Sequence, residues 1–290
     1  MSTPSEINPM PTAINPAPGS QDPSVREPAC EPQAPAILPP PPPKPRPSSP
    51  QAPLPQPGSP PILQLVDAAK AYGRTRALDN VTLSVPRGRI VGLIGPNGSG
   101  KSTLIKMAAG LVHPTTGTVL VDGRPPSAET KAIVSYLPER PYFSSHTKVS
   151  EALQLFSDFY RDFDQSAAID MLRRFEIAPD TSFSQMSKGT REKVQLVLVM
   201  ARHAALYLLD EPLGGVDPAS RSFILDTIVA RYRREATVIV STHLVADVES
   251  ILDDFILVSY GKLVAYAPVS SVRELYGMSL DEYFRGVFAC

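Results

Sequence analysis

The chain has 290 residues and a formal net charge of −1 at neutral pH, and 33 of its residues are proline. Residues 1–61 hold 22 of the prolines and no aromatic residue, whereas residues 62–290 hold all 10 Phe and all 10 Tyr. This division predicts a disordered proline-rich arm followed by one globular domain of 229 residues, long enough to bury a single core. The domain carries 25 basic and 25 acidic residues, a balance that argues against binding of nucleic acid through a basic surface.

The arm contains the run LPPPPPKPRP at 38–47, which favours an extended polyproline II conformation. Such a segment fits the aromatic-lined groove of a polyproline-binding partner, or it serves as a semi-rigid tether or a solvated tail. Both interpretations stay open, and neither of them involves catalysis.

Cysteine usage and hydropathy indicate the compartment. The two cysteines, Cys30 and Cys290, lie in the arm and at the last position, where neither can cross-link the core. This usage indicates a reducing, cytosolic compartment. Because no apolar run in the sequence approaches the ~20 residues that a membrane-spanning helix needs, we expect a soluble chain.

The globular sequence predicts strands that alternate with helices. Two short strands at 63–66 and 81–85 flank a turn-prone segment around Gly73. Further strands are predicted at 90–94, 118–122, 132–137, 206–209, 238–240 and 255–258, and helices at 101–109, within 149–176 (two), and at 187–203, 218–234, 244–252, 268–276 and 280–284. This order predicts an α/β fold with a parallel sheet covered on both faces. The consecutive helices between 149 and 203 interrupt the alternation and predict a separate lobe, placed at about 140–190.

The predicted strand at 90–94 leads into a glycine-rich loop of the form G-x-x-x-x-G-K-[ST]. The loop sequence is Gly95-Pro96-Asn97-Gly98-Ser99-Gly100-Lys101-Ser102-Thr103. Its glycines allow successive backbone N–H groups to surround a phosphate, and the helix that follows adds the positive end of its dipole. Lys101 can reach the β- and γ-phosphates of a nucleotide, and the Ser102 hydroxyl can coordinate Mg²⁺.

Other predicted strands end in residues suited to the same site, because ligands bind at the carboxyl ends of strands in open α/β sheets. The strand at 206–209 leads into Asp210, placed to hold Mg²⁺, and Glu211, placed to polarise an attacking water. An acidic pair after a strand is otherwise a solvated loop or a helix cap. A third strand precedes His243, which can donate a hydrogen bond to a γ-phosphate. Tyr72, expected in a loop after the first strand, either stacks on a base or packs as an ordinary tyrosine.

With these residues assembled, residues 62 to about 285 resemble the ATP-binding subunit of an ABC transporter. Residues 95–103 match the phosphate loop of that family, and 206–211 match its magnesium strand with the catalytic glutamate. Tyr72 matches the adenine-stacking aromatic, and His243 matches the switch histidine. The resemblance implies a P-loop NTPase with a mostly parallel core sheet, an N-terminal antiparallel β subdomain and a helical signature lobe.

Residues 186–190, MSKGT, take the place of the family signature, which is usually Leu-Ser-Gly-Gly-Gln. Ser187 and Gly189 are retained, and in the family this serine and this glycine contact the γ-phosphate bound to the opposite subunit. Lys188 stands where glycine is usual, as it does in one branch of the family. Ser187 also fits as the N-cap of the helix that follows, a role compatible with binding an anion at that helix end.

Glu139 and Asp217 complete the resemblance. Glu139 stands where the family usually has a glutamine that contacts Mg²⁺ and senses the transport partner. Residues 214–218 resemble the family's loop that couples the two sites of the dimer, with Asp217 as its acidic residue. These features resemble the exporter-type ATPases that pair with a separate permease. The resemblance implies ATP and Mg²⁺ as cofactors, a second ATP-binding subunit in a homodimer or heterodimer, and a permease that holds the chain on the inner face of the cell membrane.

Other classes of protein with a phosphate loop fit the sequence less well. A kinase or GTPase has no need of the segment 187–189, and the sequence lacks the guanine-reading N-K-x-D motif. An ABC-type ATPase of DNA repair needs a long coiled-coil insert between 103 and 187, and this interval is too short for one. The rival that stays open is a soluble ABC-type ATPase, or an ATP-gated scaffold, that is not coupled to transport. The intact Lys101 and Glu211 count against a scaffold that does not cleave ATP.

Overall fold

The computed structural model describes residues 60–233 and 235–288, so the predictions for the arm lie outside the described residues. The strands are β1 (Leu63–Tyr72), β2 (Thr75–Val85), β3 (Ile90–Ile94), β4 (Thr116–Val121), β5 (Val134–Leu137), β6 (Leu206–Asp210), β7 (Thr237–Thr242), β8 (Asp254–Ser259) and β9 (Lys262–Pro268). The α-helices are α1 (Lys101–Ala108), α2 (Ala128–Ala132), α3 (Val149–Phe159), α4 (Gln165–Arg174), α5 (Lys188–Met200), α6 (Pro218–Arg231), α7 (Val245–Val248), α8 (Val269–Tyr276) and α9 (Leu280–Phe288). Short 3₁₀ turns cover Phe183–Gln185 and Glu249–Ile251.

The N-terminal strands form an antiparallel sheet in the order β2-β1-β4. β1 and β2 make a hairpin in which Tyr72 pairs with Thr75 across the turn at Gly73. Both strands extend beyond the predicted 63–66 and 81–85, because irregularities in the β1 register interrupt the alternation of apolar and polar residues that predicts a strand. Tyr72 is therefore the last residue of β1 and not part of a loop after it.

The larger sheet has the order β5-β6-β7-β3-β8-β9. Its neighbouring strands are parallel except for β8 and β9, which are antiparallel. β3, β6, β7 and β8 are buried along their whole length, as expected for strands covered on both faces. The sequence does not predict β9, because this half-exposed edge strand contains alanines and ends in a proline, residue types depleted in strands.

Some element boundaries differ from the predictions because of local capping. The predicted strand at 132–137 begins later, at Val134, because α2 occupies the residues before it. Ser127 and Thr130 start α2 with a capping box in which the backbone N–H of each donates to the hydroxyl of the other. The predicted helix at 244–252 is divided into α7 and a 3₁₀ turn.

Within residues 60–233 and 235–288, no helix combines the length and the hydropathy that crossing a membrane requires.

Three neighbouring parallel strands, β6, β7 and β3, end next to one another on the carboxyl-terminal side of the larger sheet. β3 ends at Ile94, which pairs with Thr242 at the end of β7. Asp210, the last residue of β6, pairs with Ser241 of β7. β6 and β7 run one or two residues further than predicted, because their last residues are polar and do not continue the apolar runs. The predicted phosphate loop, the acidic pair and the histidine consequently start from adjacent positions.

α3, α4 and α5 pack against one another, in the interval where the sequence predicts a lobe. The buried side chains of α3 recur at steps of three and four residues, Val149, Ala152, Leu153 and Phe156. α5 is buried through its second half, from Val194 to Met200, whereas its first turn is exposed or half-buried. The lobe thus rests on the sheet mainly through one end of α5.

Arg202, just after α5, connects this lobe to the larger sheet. Its guanidinium donates to both carboxylate oxygens of Asp162, each at 3.1 Å. It also donates to the carbonyl oxygens of Val134 (2.6 Å) and Ala132 (2.5 Å) and lies 3.8 Å from the centroid of the Tyr160 ring. Only 2% of the Arg202 side chain is exposed, so every partner lost would leave a buried polar group unsatisfied.

We expect Arg202→Met to lower the free energy of unfolding by about 3–5 kcal/mol, the range for breaking a buried ion pair. Arg173→Met is the matched control, because Arg173 makes an ion pair with Asp170 in which both side chains are mostly exposed. This control should lose less than ~1 kcal/mol. Urea unfolding of the two variants measures the difference, and equal losses would contradict a bridging role for Arg202.

Candidate functional site

The predicted phosphate loop runs from β3 into the first turn of α1, as the motif requires. Lys101 is 5% exposed and its side chain turns back over the loop. Its Nζ donates to the carbonyl oxygens of Gly95 (2.8 Å) and Pro96 (3.2 Å). The loop is also joined to the β8–β9 turn, because the backbone N–H of Gly261 donates to the carbonyl oxygen of Ser99 at 2.9 Å. The loop is thus fixed by the Lys101 side chain and by the β8–β9 turn.

Gly100 is the loop glycine that the surrounding structure restricts most. It is the N-cap of α1 and has a φ of 109°, a conformation that L side chains rarely adopt. A Cβ added there would stand 2.5 Å from the carbonyl oxygen of Ala77 and 2.9 Å from Cδ2 of Leu78. Gly98 also has a positive φ, 79°, but a Cβ at that position would meet no atom of the described residues within 4 Å.

Asp210 contacts the phosphate loop through Ser102 and is 1% exposed. Its Oδ1 accepts hydrogen bonds from the hydroxyls of Ser102 (3.1 Å) and Ser241 (2.7 Å). Its Oδ2 is buried and finds no hydrogen-bond partner among the described residues. Burial raises the pKa of this carboxyl, and the hydrogen bonds from Ser241 and Ser102 act in the opposite direction, towards the charged form. A buried carboxylate oxygen beside a serine hydroxyl fits a hard cation such as Mg²⁺.

Glu211 connects the loop to the predicted switch histidine. Its Oε1 lies 3.6 Å from Lys101 Nζ, and its Oε2 lies 3.0 Å from Nδ1 of His243. The backbone of Glu211 has a φ of 51°, the left-handed region that non-glycine residues seldom occupy. The structure therefore brings the loop lysine, the second acidic residue and the histidine into one connected cluster.

Glu139 and Tyr72 lie at the margins of this cluster. Glu139 is exposed in the loop that follows β5, and its charge contributes to raising the pKa of Asp210. Burial, with the charges of Asp210 and Glu139, raises the pKa of Tyr136 to about 12. Tyr72 is 49% exposed, and Lys70 Nζ lies 5.2 Å from the centroid of its ring. Neither Glu139 nor Tyr72 forms a hydrogen bond with the cluster within the described residues, so their predicted roles stay predictions.

The predicted signature lies at the start of α5. Ser187 is the N-cap of this helix, and its hydroxyl accepts a hydrogen bond from the backbone N–H of Thr190 at 3.1 Å. Gly189 is half-buried, and a Cβ added there would meet no atom of the described residues within 4 Å. Within the part of the chain that the structure describes, Ser187 and Gly189 make no hydrogen bond to the phosphate loop.

Lys188 links the signature to the loop after Glu211. Its Nζ lies 3.7 Å from Oε1 of Glu192 and would lie 2.7 Å from a Cβ added at Gly215. Burial raises the pKa of the Glu192 carboxyl. In the same loop, Asp217 is the N-cap of α6 and accepts from the backbone N–H of Ser220 at 3.0 Å. Hydrogen bonding with the side chain and the backbone of Ser220 lowers the pKa of the Asp217 carboxyl. Asp217 thus has a structural role, whether or not it also couples two sites.

An apolar groove of about 580 Å³ lies between the larger sheet and the helical lobe. We call it the lobe groove, and the side chains that define it are Leu111, Pro138, Tyr142, Leu155, Phe156 and Phe159. Phe159 is 75% exposed, an unusual exposure for a phenylalanine.

Residues 78–214 match the family model described as ABC transporter. The chain is 30% identical over 234 residues to the ABC-type transporter ATP-binding protein EcsA of Bacillus subtilis, a match that covers 77% of this chain and 95% of that protein. The chain belongs to the ABC transporter ATP-binding family. The resemblance found in the sequence is therefore confirmed.

Two further similarities agree with this family membership. The chain is 28% identical to the Nod factor export ATP-binding protein I of Rhizobium meliloti, over 77% of this chain and 70% of that protein. A solved structure of the ATP-binding subunit of an ABC transporter matches with a TM-score of 0.70 and 29% identity, over 78% of this chain and 99% of that chain. The predicted fold class, a P-loop NTPase with an antiparallel and a mostly parallel sheet, is confirmed.

The sequence pattern leaves two features of the site without a role. Ser241 stands in the predicted strand-end segment, but its bond to Asp210 depends on the pairing of β6 with β7, which local sequence does not encode. The exposed Phe159 of the lobe groove follows the same apolar periodicity as the buried face of α3. Its position in the sequence could have indicated this residue. Phe159 follows the last buried position, Phe156, by three residues and so continues the apolar face of α3.

We expect Gly100→Ala to destabilise the protein more than Gly98→Ala does. Both substitutions incur the cost of a left-handed alanine, roughly 1–2 kcal/mol, but only the Cβ at Gly100 also collides with backbone. Urea unfolding of the two variants gives the comparison. Equal losses of stability would show that the loop can move away from Ala77 at no cost.

Proposed function

We propose that this chain is the ATP-hydrolysing subunit of an ABC exporter and works with a separate membrane permease. The observation that carries the proposal is the connected cluster of Lys101, Glu211 and His243 beside the unpartnered Oδ2 of Asp210. Phosphoryl chemistry of this kind needs positioning and electrostatic stabilisation more than covalent catalysis. A lysine, a water-orienting carboxylate and a metal-binding carboxylate at one sheet edge supply both.

The residues of the phosphate loop, 95–103, would bind the phosphates of ATP. Their backbone N–H groups would donate to phosphate oxygens, and Lys101 would exchange its bonds to two backbone carbonyls for bonds to the β- and γ-phosphates. Tyr72 is exposed and would stack on the adenine. When bound, Mg²⁺ would offset the repulsion between phosphate oxygens, with Ser102, Asp210 and Glu139 as the residues that hold it.

Glu211 would act on the attacking water. One carboxylate oxygen orients the water and takes its proton, as a general base does. The contact between Oε2 and His243 Nδ1 limits the rotation of that carboxylate. In its protonated form, His243 would also donate from Nε2 to the γ-phosphate.

A complete site would need a second ATP-binding subunit, either another copy of this chain or a relative. Ser187, Lys188 and Gly189 would contact the γ-phosphate bound to the partner, because an anion is favoured at the N-terminus of α5. Asp217, in the loop that follows Glu211, would couple the two sites. The contact of Lys188 with Gly215 supports such coupling, since it joins the signature to that loop within one chain.

The permease would dock in the lobe groove. An exposed apolar groove of this size fits the apolar face of a short helix from a partner protein. Similarity to a protein named for Nod factor export supports the export direction. Docking would place the domain at 62–290 on the inner face of the cell membrane, with the helical lobe at about 140–190 and Glu139 close to the permease.

A second candidate function is an ABC-type ATPase or ATP-gated scaffold that is not coupled to transport. The observation that favours it is the set of hydrogen bonds by which the loop, Glu211 and His243 satisfy one another without a membrane partner. The two predictions below separate it from the transporter subunit, because one tests cleavage of ATP and the other tests the permease.

We expect Glu211→Gln to retain ATP binding and to slow hydrolysis by a factor on the order of 10² or more, as for loss of a positioned base. ATP that is bound but not cleaved should hold the variant as a dimer in size-exclusion chromatography. Glu235→Gln is the control, because that side chain is 84% exposed, and it should hydrolyse ATP at the parent rate. An unchanged rate in Glu211→Gln would remove the catalytic role, and a monomer at saturating ATP and Mg²⁺ would count against the paired site.

We expect Phe159→Asp to abolish co-purification with a permease from detergent-solubilised membranes, because a charge in the lobe groove opposes burial of an apolar helix face. The control is Val229→Asp on α6, which introduces the same charge at an exposed apolar residue outside the groove. Thermal stability and ATP affinity are measured for both variants, and co-purification is compared only when these two properties match. Retention of the permease by Phe159→Asp would move the docking surface elsewhere, and absence of any membrane partner for the parent protein would favour the uncoupled ATPase.

A further inference from the structure

Ser241 joins the carboxylate of Asp210 to the backbone of Glu211. It lies in β7 between Asp210 and the switch histidine and is fully buried. Its hydroxyl donates to Oδ1 of Asp210 at 2.7 Å and accepts from the backbone N–H of Glu211 at 2.9 Å. We propose that Ser241 is a positioning residue that sets the geometry of both the metal-binding and the water-orienting carboxylate, an inference that rests on the proposed function.

The chemistry of the partners fixes the orientation of the Ser241 hydroxyl. Oδ1 of an ionised Asp210 can only accept, so the hydroxyl proton points to it. The N–H of Glu211 can only donate, so it takes a lone pair of the same oxygen. With one donor and one acceptor bond satisfied in a buried place, the side chain has a single favourable rotation. Oδ1 is thereby held by the protein, and Oδ2 is the oxygen available to a metal ion.

Ser241 also stabilises the unusual backbone of Glu211. A non-glycine residue with a φ of 51° persists where surrounding contacts fix it. The N–H of Glu211 is shared between Oγ and the carbonyl oxygen of Ser241, the latter at 3.2 Å. On the other side, the N–H of Gly214 donates to the carbonyl oxygen of Glu211 at 3.0 Å. This turn directs the Glu211 carboxylate towards Lys101 and His243.

Ser102 cannot take over the role of Ser241, although both hydroxyls bond to the same oxygen of Asp210. Ser102 belongs to the phosphate loop, and its hydroxyl is the one proposed to coordinate Mg²⁺. Ser241 belongs to a fully buried strand, and among the described residues its hydroxyl makes no hydrogen bond to the loop. If Ser102 coordinated Mg²⁺, the bond from Ser241 would remain to hold Oδ1. Loss of Ser241 should therefore affect the use of Mg²⁺ more than the binding of nucleotide.

The test compares Ser241→Ala with Thr237→Val, which removes a buried hydroxyl from the other end of the same strand. Thr237 donates to the carbonyl oxygen of Pro86 at 3.1 Å, away from the site. The quantity compared is the factor by which Mg²⁺ lowers the Kd of a fluorescent non-hydrolysable ATP analogue. We expect this factor to be about tenfold smaller in Ser241→Ala than in the parent, the order of effect of a lost outer-shell partner. Binding of the analogue without metal should be unchanged, and Thr237→Val should match the parent in both measurements.

Hydrolysis supplies a second measurement that a merely structural role would not change in the same way. We expect Ser241→Ala to lower kcat roughly tenfold with little change in KM for ATP at saturating Mg²⁺. The double variant Ser241→Ala/Glu211→Gln should be little slower than Glu211→Gln alone, because one loss acts through the other.

Three results would overturn the positioning role. They are a parent-like Mg²⁺ effect in Ser241→Ala, equal losses in Thr237→Val, and additive losses in the double variant. A parent protein that binds nucleotide without hydrolysing it would contradict the proposed function instead, and the Mg²⁺-dependent binding of the analogue would still decide the role of Ser241.

Discussion

The adjacency of β6, β7 and β3 is the constraint on which the rest of the site depends. Parallel neighbours in register place Ile94, Asp210 and Thr242 at one edge of the sheet, so the segments after them begin side by side. No single segment supplies all the groups of the proposed site. The loop supplies N–H groups and a lysine, β6 supplies carboxylates, and β7 supplies a hydroxyl and an imidazole. The sheet makes one site out of residues that are far apart in the chain.

Burial of charge is the physical cost of that arrangement. Lys101 and Asp210 are almost fully buried, and an isolated charge in such a place would be strongly disfavoured. Lys101 is stabilised by two carbonyl oxygens and by Glu211, so a bound phosphate would exchange partners with the protein instead of meeting a bare cation. Asp210 is only half satisfied, since one oxygen has two donors and the other has none among the described residues. Under the proposed function, the asymmetry of that carboxylate would give a cation a preferred position.

Local patterns in the sequence predict the parts of this structure that depend on local chemistry. The apolar runs predict β3, β6, β7 and β8 because buried parallel strands are continuous in hydrophobicity, and the glycine loop is visible from its own nine residues. The antiparallel β9 and the extra length of β1 are missed because edge strands and irregular register leave weak patterns. Arg202 is missed for another reason, since its partners lie 40, 68 and 70 residues away in the chain. Contacts at that separation are properties of the fold.

The anchoring of α5 has a mechanical consequence. The helix is fixed at its C-terminal end by a buried half and by the Arg202 bonds, while its other end carries Ser187. The 13 residues of the helix span about 20 Å, and Arg202 also lines the lobe groove. A rotation of α5 by about 10° around its Arg202 end would displace the Ser187 end by roughly 3–4 Å over that length. That distance is comparable to a hydrogen bond, so under the proposed function a small displacement at the groove would make or break the contact of Ser187 with a phosphate.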